Sequence, residues 1–353
     1  MLILEFFKLE NLVIIKTAII IQAYSRYFKF KFSCIFTQTI EKSKMRFFVL
    51  IVCISISLLS SCRQQVDDGN NSSKSNIDNS ETSKISQDAA QSNEQLRVAV
   101  SAMISPKETF VYYQDLFRYL SKEIGYQIDF KQRKTYLEVN NLLKQSDVDI
   151  AFICSGAYID LKSDVEILAV PVCNNEPFYQ AYFITNKQTG AKTINDLKGR
   201  TFAFTDPLSN SGKLYATNYL SKLNTTPDEY FKSTIFTYGH DISIELVSKN
   251  IIDGATIDGL IYDYLKIFNP SKVANIEIIH KSPKFGIPPV VIPTDINSEL
   301  KSKLQKALFK MHNDSTGREI LKKLLIDKFQ NGYDHNYNEI RKMRNELNNK
   351  LSG

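Results

Sequence analysis

From residue 96 onward, short apolar runs alternate with segments in which apolar residues recur at every third or fourth position. The runs at 96–100, 148–153 and 201–205 predict buried strands, because each is rich in β-branched or aromatic residues. Residues 106–124 have helical spacing and Gly125 follows them, which predicts a helix that ends there. Strands that alternate with helices in this way indicate a parallel sheet with helices on both faces.

A second unit of the same kind follows in the middle of the chain. The runs at 165–172, 181–185 and 253–257 predict further strands, and 241–249 predicts a helix before the last of them. Two α/β units in one chain indicate two lobes with a cleft between them. Ligands of such sheets bind beyond the carboxyl ends of the strands, so we expect the site where loops from both lobes meet.

The segment 206–212, Asp-Pro-Leu-Ser-Asn-Ser-Gly, follows a predicted strand and precedes a helix-like segment. The first backbone N–H groups of a helix have no partner within it, and the helix dipole is positive there. Ser209, Asn210 and Ser211 add side-chain donors, and Gly212 lets a ligand approach the backbone closely. The segment therefore predicts an anion site, although a small polar cluster before a helix also serves as a plain N-cap.

The amino-terminal part of the chain indicates export. Residues 45–61 combine a basic start, an apolar run and small residues, as in the signal peptide of a lipoprotein. Cys62 follows Leu-Ser-Ser, which resembles the bacterial lipobox, so we expect Cys62 to carry the lipid. For residues 1–44 we expect an upstream extension that results from a mis-assigned start. An amino-terminal membrane segment is the alternative.

Residues 62–95 are predicted to be a flexible tether that begins at the lipidated cysteine. After this cysteine the segment is rich in Ser, Asn, Asp, Gln and Lys and has no aromatic residue, so it cannot bury enough apolar surface to order itself. A coil of this length spans on the order of 30 Å. The tether would hold the globular part, from residue 96 onward, away from its anchor.

The charge pattern argues against nucleic acid as a partner. The chain has 44 Lys and Arg residues and 38 Asp and Glu residues, which gives a formal net charge of +6. The basic residues are dispersed, and no basic run is interleaved with aromatic residues. We therefore interpret the excess of lysine as solvated surface.

Neither a metal site nor a cofactor is expected. The four His residues are scattered and lack the paired Cys or carboxylate spacing of a metal site. Cys154 and Cys173 remain in the globular part, and the sequence leaves open whether they form a disulfide, because their separation in space is not known.

Several segments in order resemble one known family. They are the strand-like segments 147–152 and 196–204, the anion loop 206–212, the Tyr-Gly-His-Asp segment 238–241 and the carboxyl-terminal segment 320–341. Together they resemble the extracytoplasmic solute-binding proteins of phosphonate, phosphite and phosphate ABC transporters. The resemblance covers nearly all of the chain after residue 96.

This resemblance implies a type II periplasmic-binding-protein-like fold of the α/β class, in which each lobe is a mainly parallel sheet flanked by helices. Residues 96–183 with 284–345 would form lobe 1, and 184–283 would form lobe 2, with hinges near Phe183–Ile184 and near Ser282–Pro283.

The function implied is capture of a small phosphorus oxyanion by lobe closure and delivery to a permease and ATPase complex. The protein would be a monomer without enzyme activity, exported and lipid-anchored to the cell membrane, facing the periplasm or the cell exterior.

The family's ligand-binding residues can be carried over to this chain. The anion loop would cradle the oxygens of the ligand, two tyrosines would face it, one of them from lobe 1, and a histidine would donate to it, more strongly if protonated. The ligand-binding residues implied are Tyr136, Tyr179, Ser209, Asn210, Ser211, Gly212 and His240.

Two departures from the family pattern bear on the ligand. Asn210 stands where threonine is usual, and Leu260 and Pro288 stand where aminophosphonate-binding members have acidic residues. Asp258 lies near and could substitute for one of them. We expect a ligand with a cationic amine to be disfavoured relative to phosphite, phosphate or methylphosphonate.

Other functions were weighed on the same residues. Ser211, His240 and Asp241 suggest a hydrolase, but no Gly-x-Ser-x-Gly elbow surrounds the serine, and adjacent His and Asp residues do not make a usual triad. The alternatives that keep the fold are a sensory protein that presents its ligand to a membrane kinase, and a binding protein for another solute such as a sulfonate or a thiamine precursor.

Overall fold

A computed structural model of the chain describes residues 83–85, 94–103 and 106–352. The chain divides into two units after residue 77, and the unit Asp78–Gly353 contains every element given below. The predicted extension, signal peptide and Cys62 lie outside the described residues, as does most of the predicted tether. Within the described ranges, no helix has both the length and the apolar character needed to cross a membrane.

Strands and helices alternate through most of this unit, as the apolar pattern predicted. The strands are β1 (Ser83–Ile85), β2 (Gln95–Val100), β3 (Gln127–Gln132), β4 (Ile150–Phe152), β5 (Val165–Val172), β6 (Phe178–Tyr179), β7 (Ala181–Asn186), β8 (Thr201–Phe204), β9 (Ser233–Phe236), β10 (Gly254–Asp258), β11 (Ile276–Lys281), β12 (Phe285–Gly286), β13 (Val290–Pro293) and β14 (Lys328–Gln330). The helices are α1 (Pro106–Ile124), α2 (Tyr136–Lys144), α3 (Ser155–Tyr158), α4 (Tyr215–Lys222), α5 (Pro227–Tyr230), α6 (His240–Ser248), α7 (Gly259–Phe268), α8 (Pro270–Val273), α9 (Ser298–Lys310), α10 (Ser315–Leu324) and α11 (Asn338–Ser352).

Two large sheets organise the unit. The first has seven strands in the order β1-β3-β2-β4-β13-β5-β14, and the second has five in the order β11-β7-β10-β8-β9. In the first sheet β3, β2 and β4 are parallel to one another, and in the second β10, β8 and β9 are. The other neighbours within these sheets pair antiparallel.

The prediction that each sheet is mainly parallel was therefore wrong, and both sheets are mixed. The strands β13 and β14 follow the return of the chain from the second sheet, and both run against β5. The direction of a returning strand depends on the side from which the chain arrives. An apolar run alone does not reveal that side.

One hydrophobic core lies between the first sheet and the helices α1, α9 and α10. Helix α1 contributes Leu116, Phe117 and Leu120 to it, all fully buried. The Phe117 ring lies 5.1 Å from the ring of Phe130 on β3. Burying each such side chain stabilises the fold by about 1.5–3 kcal/mol. Helix α1 ends before Gly125, whose φ of +78° favours glycine, as its position in the sequence predicted.

The chain crosses between the two sheets at two adjacent places. Strands β6 and β12 pair beside the crossings, and Ala181 N–H donates to Ser282 Oγ at 2.8 Å. The hinge predicted at Phe183–Ile184 lies instead inside β7, which is paired with β10 and β11 on its two edges. A strand held on both edges cannot bend freely, so the first crossing is at Gln180.

The carboxyl-terminal helix α11 contacts elements on both sides of the crossings. Arg344 forms an ion pair with Asp160, just after α3, at 2.8 Å. One residue pair further along, Asn218 of α4 donates to the carboxylate of Glu346 at 3.0 Å. Helix α11 therefore joins the region around β4 to the region around β8.

Candidate anion-binding site

The loop between β8 and α4 has the structure of a helix start. Ser209 is the N-cap, and its Oγ accepts a hydrogen bond from Gly212 N–H at 2.9 Å. Residues 210–214 then form a π-helical turn before α4 begins. The amide of Gly212 is thus already used within the loop. A Cβ at Gly212 would lie 2.6 Å from Thr205 Cβ, so this position requires glycine for packing inside the loop.

The loop holds two polar atoms that have no partner. Asn210 and Ser211 are fully buried, and within the described part of the chain neither Asn210 Oδ1 nor Ser211 Oγ makes a hydrogen bond. A buried polar atom that lacks a partner costs about 1–3 kcal/mol. These atoms therefore point to a polar ligand that would pair with them.

Three further buried atoms of the same kind come from other elements. Ser101 Oγ follows β2, Tyr136 Oη lies at the start of α2, and His240 Nε2 lies at the start of α6. None has a hydrogen-bond partner among residues 94–103 and 106–352. Two of these residues, Tyr136 and His240, are among those that the sequence predicted.

Direct hydrogen bonds hold these elements against one another. His240 N–H donates to Met103 O at 2.9 Å, and Tyr136 N–H donates to Asp206 Oδ2 at 3.1 Å. Tyr179, which is also buried, accepts a bond from Asn210 Nδ2 at 3.0 Å. Loops that follow the first sheet are therefore in contact with loops that follow the second, and the predicted site residues meet at this junction.

The two tyrosines are neutral donors. Burial raises the pKa of Tyr136 and of Tyr179 well above the ordinary value of 10.0. Their hydroxyl groups keep their protons at any physiological pH and can donate them to an acceptor.

His240 is also neutral, and its contacts fix which nitrogen carries the proton. Burial lowers the pKa of His240 to about 3. Its Nδ1 accepts from Asp258 N–H at 3.0 Å and lies 2.9 Å from Thr205 Oγ1. Because Nδ1 is an acceptor, the proton of the neutral ring is on Nε2, the atom without a partner. The prediction that His240 donates more strongly when protonated therefore does not fit, since a second proton would face the amide of Asp258.

Asp258 is the acidic group of this region. It caps α7, where its Oδ1 accepts from Leu260 N–H at 2.8 Å. Burial raises the pKa of Asp258 to about 7. Its charge in turn contributes to the raised pKa of Tyr136 and Tyr179, so the carboxyl group lies near both.

The sequence did not reveal two residues of the site, Ser101 and Gly156. A Cβ at Gly156 would lie 2.3 Å from Leu208 O, so only glycine lets α3 approach the anion loop this closely. The Ser-Gly pair directly after β4 is a visible signal for such an approach, but its partner loop is 52 residues further along the chain.

A family model described as "ABC transporter, phosphonate, periplasmic substrate-binding protein" matches residues 98–337. The chain belongs to this family. Its members are periplasmic, and thus extracytoplasmic, and they are substrate-binding proteins rather than enzymes, as the sequence indicated.

Two curated relatives match part of the chain. The phosphonates-binding periplasmic protein of Escherichia coli (strain K12) is 26% identical over 192 residues, which cover 52% of this chain and 56% of that protein. A probable ABC transporter phosphite-binding protein of Prochlorococcus marinus is 23% identical over 184 residues, which cover 48% of this chain and 61% of that protein. The chain thus spans less than two thirds of the length of each.

Solved structures share the fold of this family member. A binding-protein component of an ABC phosphonate transporter from Pseudomonas aeruginosa has a TM-score of 0.68 at 25% identity, over 71% of this chain and 85% of that one. A Prochlorococcus marinus protein in complex with methylphosphonate has a TM-score of 0.67 at 17% identity, over 72% and 98%. These structures confirm the type II periplasmic-binding-protein fold.

The polar groups of this phosphonate-binding-family site do not form a hydrolytic triad. The imidazole of His240 bonds Thr205 and the amide of Asp258, while Ser211 Oγ makes no hydrogen bond within the described residues. Cys154 and Cys173 are free and buried, and burial raises the pKa of the two thiols to about 11 and about 12. The described residues contain no cluster of His, Cys, Asp and Glu that could hold a metal ion.

Proposed function

We propose that this chain is the solute-binding component of an ABC importer and that it binds a small phosphorus oxyanion, a phosphonate, phosphite or phosphate. The observation that carries the proposal is the group of buried polar atoms without partners at the junction of the two sheets. They are Ser101 Oγ, Tyr136 Oη, Asn210 Oδ1, Ser211 Oγ and His240 Nε2.

The chemistry of these atoms favours an oxyanion. The hydroxyl groups of Ser101, Tyr136 and Ser211 and the Nε2–H of His240 are neutral donors. Neutral donors satisfy the oxygens of a buried anion, and hydrogen bonds to a charged group contribute about 1.5–3 kcal/mol each. Asn210 Oδ1 adds one acceptor, which fits a ligand oxygen that carries a proton. The names of the relatives, which include phosphonate and phosphite binding, support phosphorus as the central atom.

A ligand with a cationic amine is disfavoured in this proposal. Leu260 and Pro288 offer no charge to an ammonium group. Asp258 is the one nearby carboxyl group considered as a substitute, and its raised pKa makes it a weak counter-charge at neutral pH.

Delivery and anchoring complete the proposal. The ligand would be enclosed by closure of lobe 1 (96–183 with 284–345) on lobe 2 (184–283), and the closed monomer would dock on the permease and ATPase complex. Residues 45–61 would direct export, and a lipid on Cys62 would hold the protein to the membrane through the tether 62–95. The support for the anchor is the sequence pattern described above.

Calorimetry with phosphite, phosphate, methylphosphonate, aminoethylphosphonate and sulfate tests the function. We expect tight binding of a phosphorus oxyanion, weaker binding of the amine-bearing compound and none of sulfate. Ser211→Ala should weaken binding by about tenfold or more, because it removes a bond to the anion. Ser221→Ala is the matched control, since Ser221 lies on α4 and its Oγ donates to Asn218 O. Silence toward all phosphorus oxyanions would contradict the proposal and favour a sensory role or another solute.

A further inference from the structure

A large cavity adjoins the proposed anion site. Its volume is about 970 Å³, and its lining includes Ser101, whose Oγ is one of the unpaired atoms, and Asp258. The anion loop and the two predicted tyrosines are not part of this lining. The cavity is therefore a second compartment that begins where the polar site ends.

The walls of this compartment are mostly apolar at its inner end. Phe152, Ile287 and Pro288 line it from the first sheet and the segment before β13, and all three are buried. Leu260 and Ile261, in the first turn of α7, line it from the other side. Charged lining residues such as Lys266 and Lys322 are exposed to solvent and mark the outer end.

The volume is far larger than an inorganic oxyanion needs. Pockets of about 300–1,000 Å³ are typical for drug-sized ligands. The compartment is present although the loops on either side are in contact through His240 N–H and Met103 O. It therefore accompanies the contact between the loops instead of disappearing with it.

We propose that the physiological ligand is an organophosphonate whose apolar substituent occupies this compartment while its oxygens bind the polar site. The inference rests on the function proposed above and specifies the ligand class. Leu260 has a defined part in it, because it replaces an acidic group with an apolar wall at the junction of the two compartments. A carbon substituent placed there loses contact with water without leaving a charge unpaired.

Affinity along a series of phosphonates is the direct test. Each methylene that becomes buried should raise the affinity by about fourfold, so propylphosphonate should bind more than tenfold more tightly than methylphosphonate. Isothermal calorimetry on the full-length chain with phosphite and with methyl-, ethyl-, propyl- and phenylphosphonate measures this gain.

A variant that narrows the compartment separates this inference from the general function. Leu260→Trp should reduce the ratio of propylphosphonate to methylphosphonate affinity by at least tenfold. Ile251→Trp is the control, since Ile251 is 60% exposed and does not line the cavity, and its ratio should equal that of the unmodified chain.

The outcomes are distinct. If phosphite and methylphosphonate bind but longer substituents give no gain, the inference is overturned and the proposed function stands. If no member of the series binds, the proposed function itself is overturned. A rising series that Leu260→Trp flattens supports both.

Discussion

The anion loop and the cavity beside it place opposite demands on one ligand. Around Ser211 and His240, every polar atom either has a fixed partner or is buried without one, so an incorrect group would leave several of them unsatisfied. Around Leu260 and Pro288 the walls are apolar, so a change in substituent alters only the buried area. The comparison teaches that the head group is read strictly and the substituent loosely.

Gly156→Ala should break the strict side of this comparison with the largest effect. The new Cβ would lie 2.3 Å from Leu208 O, and the anion loop must move to relieve the overlap. Displacing the loop loses at least two bonds to the anion, so binding should weaken by about a hundredfold or more. Overpacking should also lower the free energy of unfolding by about 1–3 kcal/mol. Calorimetry and thermal denaturation measure the two effects, and unchanged binding of methylphosphonate would show that α3 does not support the loop.

His240→Asn should sharpen the comparison by removing a single donor. The amide oxygen of asparagine can take the place of Nδ1 as the acceptor for Asp258 N–H, while nothing replaces Nε2–H. We expect binding to weaken by about 10- to 100-fold with little change in stability. His240→Phe is the companion variant, because it also leaves the amide of Asp258 without a partner and should lower the melting temperature. Equal affinity of His240→Asn and the unmodified chain would remove His240 from the site.

Asp258 lies where the two sides meet, and its titration should give the smallest effect. With a pKa of about 7 it is largely neutral below pH 7 and charged above it. A bound anion disfavours the charged form, so binding above pH 7 takes up a proton, and the dissociation constant should rise by up to about tenfold per pH unit. Asp258→Asn keeps the helix cap and should abolish this part of the pH dependence. Comparing the two proteins with the same ligand cancels the ionisation of the ligand itself.

The same carboxyl group should affect stability with a defined sign. In the unfolded chain it ionises near its ordinary pKa of 3.8, whereas burial holds it neutral in the folded protein until about pH 7. The folded state therefore binds the extra proton between these values, and its stability should fall as the pH rises from about 4 to 7 and then level off. Chemical denaturation of the unmodified chain and of Asp258→Asn across this range measures the difference.

Local patterns predicted the elements well and their arrangement less well. The run at 165–172 coincides with β5, and the loop 206–212 was assigned to an anion site on its residue types alone. The direction of β13 depends on the path of the returning chain, which periodicity does not contain. Leu260 was noticed as a departure from the family pattern, but its place on a cavity wall depends on segments that are distant in sequence.

Within the site, tertiary contacts decided what the sequence could not. Ser101 was not predicted because one serine after a strand has no special pattern, and only its burial without a partner distinguishes it. The proton on Nε2 of His240 follows from the amide of Asp258, which is 18 residues away. Gly212 was identified, but for a different reason, since its hydrogen takes the place of a Cβ against Thr205.

The contacts of helix α11 have a mechanical consequence. Two adjacent strands alone would form a ribbon that both bends and twists. The ion pair of Arg344 with Asp160 and the bond from Asn218 to Glu346 add a brace at a distance from that ribbon. A brace of this kind resists rotation about the long axis of the molecule more than it resists folding toward the ligand. Movement of the two halves is thereby guided along one path, like a door with a third fastening on its frame.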